Sequence, residues 1–445
     1  MQDVDISNWL KERGIKEVEC LVPDMTGNAR GKFIPAGKFI KEESRLPEAI
    51  LAQTVTGEYS DEDFDFISPI DGDMLLVPDA ATIRVVPWAT EPTAQIIHDC
   101  FQPDGSPHPF STRNVLKKVL AGFTDKDWFP VVAPEMEFYL VAKNINPDME
   151  LEAPIGRSGR RESARQSYGI DAANEFENVI DEMYNFCEKQ ELDVDTLIHE
   201  SGAAQMEINF LHGNALNLAD QVFVFKRTLR ESALRQGIYA TFMARPHEKE
   251  PGSSMHIHQS ILDAEGNNIF VDENGEETDL FRWYIGGLQK YIPYVISLFA
   301  PNVNSYRRFT KADDAPINLE WGYDNRTAGI RVPHSSAKNR RVENRFAGAD
   351  ANPYLAMAAS LGCGLLGIMN KIEPTAAHGG DAGGEEIVIS RNLESALQLL
   401  DELPEVEAMF GAHFIEGYKA VKSAEFEEFN KVVSAWEREF LLLNV

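Results

Sequence analysis

Glutamate recurs on one side of strand-like segments that are otherwise apolar, and this pattern restricts the fold more than any other in the chain. The apolar run Phe129-Pro130-Val131-Val132-Ala133 leads through Pro134-Glu135-Met136-Glu137-Phe138 into Tyr139-Leu140-Val141. Successive strand side chains point to opposite faces, so Glu135 and Glu137 share one face and Met136 and Phe138 take the other. A carboxylate turned into an apolar interior is costly unless a cation meets it, and for this pair alone a half-exposed edge strand with a wet acidic face fits equally well. Three further segments repeat the pattern. In Ala204 to Phe210, Gln205, Glu207 and Asn209 alternate with apolar residues, and Glu200 lies just upstream. Ser254 to Ser260 puts His256 and His258 on one face, and Arg341 to Phe346 does the same for Arg341, Glu343 and Arg345. Helical periodicity separates these segments, so the expectation is several strands curved around one polar cavity.

Charge decides what such a cavity holds. If Glu135, Glu137, Glu200, Glu207 and Glu343 converge, each pair at roughly 5 Å repels by about 3 kcal/mol at an effective dielectric of ~20. Protons or bound cations must relieve that. Carboxylates with an imidazole and no thiolate at useful spacing suit hard divalent ions such as Mg²⁺ or Mn²⁺. Two ions with open positions, bordered by Arg326, Arg331, Lys338, Arg340, Arg341 and Arg345, suit phosphoryl transfer from a nucleotide, a reaction that depends on positioning and charge neutralisation.

A chain of 445 residues suggests two or more domains. Its net charge of −29 argues against nucleic acid and anionic membrane surfaces as partners and favours a cationic substrate. Cys20, Cys100, Cys187 and Cys363 form no CxxC, so neither a disulfide framework nor a zinc site is expected, and a reducing cytoplasm fits. The N-terminus has no signal-peptide pattern. Tyr354 to Met369 is short for a membrane span and reads as a buried, closely packed helix. The GxGxxG match at Gly362 to Gly367 lies inside that run rather than after a strand, so it too reads as helix packing.

The first hundred residues mix short strands (18–22, 75–77, 83–86 and 94–100) with turn signals, which reads as a small α+β domain. Gln102 to Pro109 has linker composition, and Ser111 is placed to cap a helix from Asn114 to Gly122. Asn144 to Ile170 reads as an exposed loop with a basic cluster. Helices are expected over 171–190, 218–235, 280–299 and 353–371. The apolar tail Phe440-Leu441-Leu442-Leu443 either caps the core of its own domain or docks on another subunit.

These motifs resemble the glutamine synthetase family from end to end. They come in family order: 134–138, Glu200 through Gln205-Met206-Glu207-Ile208, Gly252 to His258, Asn304-Ser305-Tyr306-Arg307-Arg308, Asn325 to Pro333, and Lys338 to Phe346 followed by Ala351-Asn352-Pro353-Tyr354. The resemblance implies an α+β fold, with an N-terminal β-grasp domain over 1–106 and a catalytic domain over 107–445 whose curved antiparallel sheet forms a partial barrel. It also implies a homo-oligomeric ring, a dodecamer, with sites between neighbouring subunits. Glu137, Glu200 and Glu207 would hold one metal, and Glu135, His256 and Glu343 the other. Gly252, Arg308 and Arg345 match glutamate-binding positions; His258, Arg331 and Lys338 match nucleotide or phosphate positions; Arg326 would stabilise the transferring phosphoryl group.

The implied reaction uses ATP to phosphorylate the γ-carboxylate of L-glutamate, and a nitrogen nucleophile then displaces phosphate. Here the sequence departs from the family. Ammonia-using members carry Asp-Gly-Ser-Ser where this chain has Thr54-Val55-Thr56-Gly57-Glu58-Tyr59, with Thr56 in the aspartate's place. Their flap Pro-Gly-Tyr-Glu-Ala-Pro becomes Lys311-Ala312-Asp313-Asp314-Ala315-Pro316. These changes suit a larger amine, with Asp314 as the base that takes its proton, and resemble polyamine ligases acting on putrescine or spermidine. The acidic run Glu58, Asp61, Glu62, Asp63 and Asp65 either attracts a second ammonium or is an ordinary solvated loop. Ammonia-dependent glutamine synthesis, monoamine or ethanolamine ligation, and a catalytically silent homologue are the alternatives.

Overall fold

The computed structural model describes residues 4–60, 70–163, 165–310, 315–384 and 387–445. Asp314 and the rest of 311–314, and Asp61, Glu62, Asp63 and Asp65, lie outside them. Two sheets organise the chain. The first comprises β1 (Glu17–Pro23), β2 (Ala29–Pro35), β3 (Ser44–Pro47), β4 (Asp73–Pro78), β5 (Arg84–Val85) and β6 (Thr93–Phe101), in the order β2-β1-β6-β4-β3 with β5 on β6. β1 and β2 form an antiparallel hairpin, and β1 runs parallel to β6 with Glu17 opposite Thr93. Both faces of its central strands β1 and β6 are covered. Val18, Cys20, Ala94 and Ile96 pack with Leu10 and Phe39 in a small core, whereas Leu21, Leu76 and Ile97 join the large core of the rest of the chain.

The second sheet comprises β7 (Phe129–Ala142), β8 (Val194–His199), β9 (Gln205–Phe210), β10 (Gly213–Asn214), β11 (Ile238–Thr241), β12 (Met255–Leu262), β13 (Trp321–Tyr323), β14 (Ile330–Val332) and β15 (Val342–Asn344). Its order is β13-β14-β15-β12-β7-β9-β8, with β10 and β11 pairing separate stretches of β7. The long central strand β7 thus serves as the spine of a curved, barrel-like sheet. Pro134 falls between the stretches of β7 that pair with β10 and with β9, where its missing N–H interrupts neither ladder.

Ser111 caps the helix Thr112–Thr124 by accepting from the Asn114 N–H. The helix expected over 171–190 is instead broken into Ile170–Asn174 and Glu177–Lys189. At the break the Arg157 N–H takes the Glu175 carbonyl and the Ser158 N–H takes its carboxylate, so the long loop captures backbone and side chain that a continuous helix would use. Pro353–Asn370 is long and apolar enough to cross a membrane by composition, yet 89% of it is buried inside the molecule. It packs on the helix Asp279–Phe299 through the GxGxxG glycines: a Cβ on Gly364 would strike the Tyr284 ring, and one on Gly367 would come within 2.5 Å of Gly287. The four cysteines are buried and free. The apolar tail does not cap its own core, since Trp436, Phe440, Leu442 and Leu443 are exposed.

The expected boundary after residue 106 falls between β6 and the helix Thr112–Thr124, and a buried ion cluster spans it. Arg113, fully buried, donates to Asp79 (2.6 Å), Asp99 and Asp220 (2.9 Å). Asp220, on the helix Ala215–Arg235, also accepts from the Tyr354 hydroxyl at 2.7 Å.

Candidate active site

Strand register assembles the acidic cluster. On β7, Glu135 stands opposite His256 of β12, and Glu137 opposite Glu207 of β9. His258 of β12 faces Glu343 of β15, which in turn faces Arg331 of β14. Glu200 follows β8 directly, its N–H bonded to the Gln205 carbonyl at 2.8 Å. Because side chains alternate along each strand, the charged members all reach one side while Met136, Met206 and Ile257 enter the core.

Three of the carboxylates have clear counterparts. Glu135 takes His258 Nε2 at 2.8 Å and His256 Nδ1 at 3.4 Å. Glu343, almost wholly buried, is bound by Arg331 at 2.8 Å and Arg345 at 2.7 Å. Glu137 accepts from the Ser254 N–H at 2.8 Å and from the Gln205 amide at 3.3 Å. Arg341 Nε meets His258 Nδ1 at 3.2 Å, and Asp324 pairs with Arg331 at 2.5 Å.

A cavity of about 40 Å³ opens against this cluster, a volume suited to an ion or a water. Its wall brings together Glu137, Glu200 and His256 with Gly252, Arg308 and Arg345. Ser201, Gln205, Pro251, Ser254 and Ala315 complete it. Gln205 sat on the loaded face of its strand in sequence; Ser201 and Pro251 carry no pattern that marks them. Arg308, buried, donates to Ser254 Oγ at 2.7 Å and to the Phe346 carbonyl at 3.2 Å. Two expected residues lie in exposed turns: Arg326 between β13 and β14, and Lys338 within Ala337–Asn339.

The donor set fits hard cations. Among the described residues, Glu135, Glu207 and His256 bring their ligand atoms within 4.8 Å of one another, as do Glu135, His258 and Glu343. Both trios use Glu135, so they differ from the grouping that the family resemblance implies. Burial raises the Glu137 carboxyl to about 8, with Glu200 as the next cause. Burial and the surrounding Glu135, Glu137, Glu200 and Glu343 push Glu207 up to about 10. Glu343 is held at about 2: burial opposes this, but His258, Arg345 and His256 outweigh it. Glu135 is likewise held well below the usual carboxylate range, burial being outweighed by its two histidines.

Without a metal ion, Glu137 and Glu207 therefore favour their protonated forms at neutral pH, and at these two groups the folded state holds protons that the unfolded chain, whose glutamates titrate at ~4.3, has released. The stability this provides is full below about pH 4.3 and is lost as pH rises through about 8 and about 10. In a chelator, the melting temperature is expected to fall between about pH 6 and about pH 8, above which the buried Lys226, lowered to about 7, offsets the remaining loss at Glu207. Added Mg²⁺ or Mn²⁺ should flatten that fall, because a divalent ion replaces the protons. A melting temperature that is flat or rising in chelator contradicts the proton assignment.

Residues 109–441 match the family described as glutamine synthetase, catalytic domain. The chain is 33% identical to the gamma-glutamylputrescine synthetase PuuA of Escherichia coli (strain K12), over 96% of this chain and 92% of that one. It is 30% identical to a glutamate–isopropylamine ligase of Pseudomonas sp, over 98% and 97% of the two chains. It is 32% identical to a glutamine synthetase of Methanosarcina mazei, over 97% and 96%. Among solved structures, apo GmaS without ligand superposes with a TM-score of 0.86 at 27% identity, covering 99% of each chain.

Proposed function

The chain belongs to the glutamine synthetase family, and from that premise we propose that it ligates the γ-carboxylate of L-glutamate to a small amine, a polyamine such as putrescine or spermidine, using ATP and forming a γ-glutamyl phosphate. The observation that carries this reading is the cavity in which the acidic cluster meets Gly252, Arg308 and Arg345 in one wall. Similarity to two glutamate–amine ligases supports the choice of an amine over ammonia. So does the sequence around Thr56, which by resemblance takes the place of the ammonia-using relatives' aspartate and whose hydroxyl lies 2.9 Å from that of Thr54.

Glu137, Glu200 and Glu207 hold one divalent ion in this reading, and Glu135, His256 and Glu343 the other. When bound, Mg²⁺ or Mn²⁺ supplies the charge neutralisation that phosphoryl transfer requires. Arg308 grips the glutamate α-carboxylate, and Arg345 orients its other oxygens. His258, Arg331 and Lys338 contact nucleotide phosphates, and Arg326 swings from its exposed turn onto the transferring group. An alkylamine has a pKa near ~10.4 and is overwhelmingly protonated at pH 7, so a base is required; Asp314 fills that role. The exposed apolar tail supports self-association, and a homo-oligomer, a dodecamer, is proposed on that ground together with family membership.

Initial rates with ammonia, putrescine, spermidine and monoamines test the assignment. A polyamine is expected to exceed ammonia in kcat/KM by at least about 100-fold, or ~2.7 kcal/mol of transition-state stabilisation. Ammonia winning returns the chain to glutamine synthesis. Gly252 gives a second test, because a Cβ there would meet Arg308 Cγ at 2.5 Å and the Ala244 carbonyl oxygen at 2.8 Å. Gly252→Ala is expected to raise the glutamate KM by about 10–100-fold through displacement of the guanidinium. A wild-type KM would remove Arg308 from the glutamate site.

A further inference from the structure

We infer that Glu162, which does not line the cavity, is a positioning residue that fixes Glu200 from behind through His199. The inference rests on the proposed role of Glu200 as a metal ligand. Glu162 comes from the long loop before the helix Ile170–Asn174, far in sequence from the strands of the site. Its Oε2 accepts the Ala204 N–H at 2.7 Å and lies 3.1 Å from His199 Nε2. His199 is fully buried, and its Nδ1 lies 2.7 Å from the Glu200 carbonyl oxygen. A carbonyl oxygen and a carboxylate oxygen both only accept, so Nδ1 donates to Glu200 and Nε2 donates to Glu162, and the ring carries both hydrogens. One carboxylate oxygen therefore grips both ends of the turn between β8 and β9: His199, the last residue of one strand, and Ala204, just before the next.

That turn has reason to need a clamp. Ala204 sits in the left-handed region at φ 57°, which costs a non-glycine residue on the order of 1 kcal/mol or more. The turn is also the element that joins the cluster's parts. Gly202 N–H donates to Gln205 Oε1 at 2.9 Å, and the Gln205 amide donates to Glu137 at 3.3 Å and to the Gly252 carbonyl at 3.0 Å. A shift of the turn would therefore carry Glu200 away from Glu137 and Gly252. Partners behind a metal ligand change metal affinity by about 10–100-fold without touching the ion. A glutamate that merely fastened the loop to the sheet would change stability and leave affinity alone.

The test is Mn²⁺ binding by titration calorimetry, without nucleotide, glutamate or amine, on the full chain as wild type, Glu162→Gln, Glu162→Asp and Glu162→Ala, with thermal unfolding measured beside it. Glu162→Ala is expected to bind Mn²⁺ about ten-fold more weakly or worse. Glu162→Gln, which keeps an acceptor oxygen at the same reach, should stay within about three-fold of wild type. Glu162→Asp draws the acceptor back by a methylene and should fall between them, and it decides the matter if Glu162→Ala does not fold. Wild-type affinity in Glu162→Ala and Glu162→Asp overturns the inference, as does loss in all three variants that follows only their melting temperatures. Absence of Mn²⁺ binding in the wild type instead overturns the metal reading on which it rests.

Discussion

Glu135→Gln is expected to lower kcat/KM by about 10³-fold while leaving the fold intact. Glu135 is the one carboxylate common to both groups of close donors, and it binds His256 and His258 together. Glutamine has the same size and still accepts from His258 Nε2, so packing and the β7–β12 pairing should be kept. What disappears is a full negative charge at the centre of the cluster. Charge stabilisation by a bound ion is worth several kcal/mol, and about 4 kcal/mol corresponds to the predicted factor. Steady-state rates and a melting curve measured together decide the outcome. Activity above about a tenth of wild type would show that the glutamates serve only to satisfy the arginines and histidines around them.

Arg113→Met should cost about 3–5 kcal/mol of stability, the largest effect expected away from the active site. The guanidinium is buried among Asp79, Asp99 and Asp220. Asp99 keeps Lys117, and Asp220 keeps the Tyr354 hydroxyl, but Asp220 lies buried and would lose its ion-pair partner. Breaking such a cluster on one side leaves an uncompensated charge in the interior, which is more costly than never having built it. The cluster also joins β6 and Asp79, just after β4, to the helices Thr112–Thr124 and Ala215–Arg235, so denaturant unfolding should lose cooperativity between the first sheet and the rest of the chain. A loss below about 1 kcal/mol would mean that water reaches Asp220 once the arginine is gone.

Much was legible in order along the chain. The period-2 alternation of Glu135 and Glu137, of Gln205, Glu207 and Asn209, and of His256 and His258 identified strands and the side each group faces. The small and apolar composition of Tyr354 to Met369 identified a packed helix in place of a nucleotide-binding turn. The family motifs suggested roles, which remain proposals; Glu135, Glu137, Glu200, Glu207, His256 and Glu343 lie together, whereas Arg326 and Lys338 lie in exposed turns and Asp314 lies outside the described residues.

Alternation tells which face a side chain takes, because that is fixed by local backbone geometry, and so the sequence alone determined that carboxylates and imidazoles would share the inner side of several strands. Register is a pairing between segments far apart in the chain, and only the tertiary structure decided that Glu137 stands opposite Glu207 and Glu135 opposite His256. The same holds for the groups that act at a distance. Neither the grip of Glu162 on His199 nor the gathering of three aspartates around Arg113 leaves a periodic trace, since each depends on where loops and sheets meet in space.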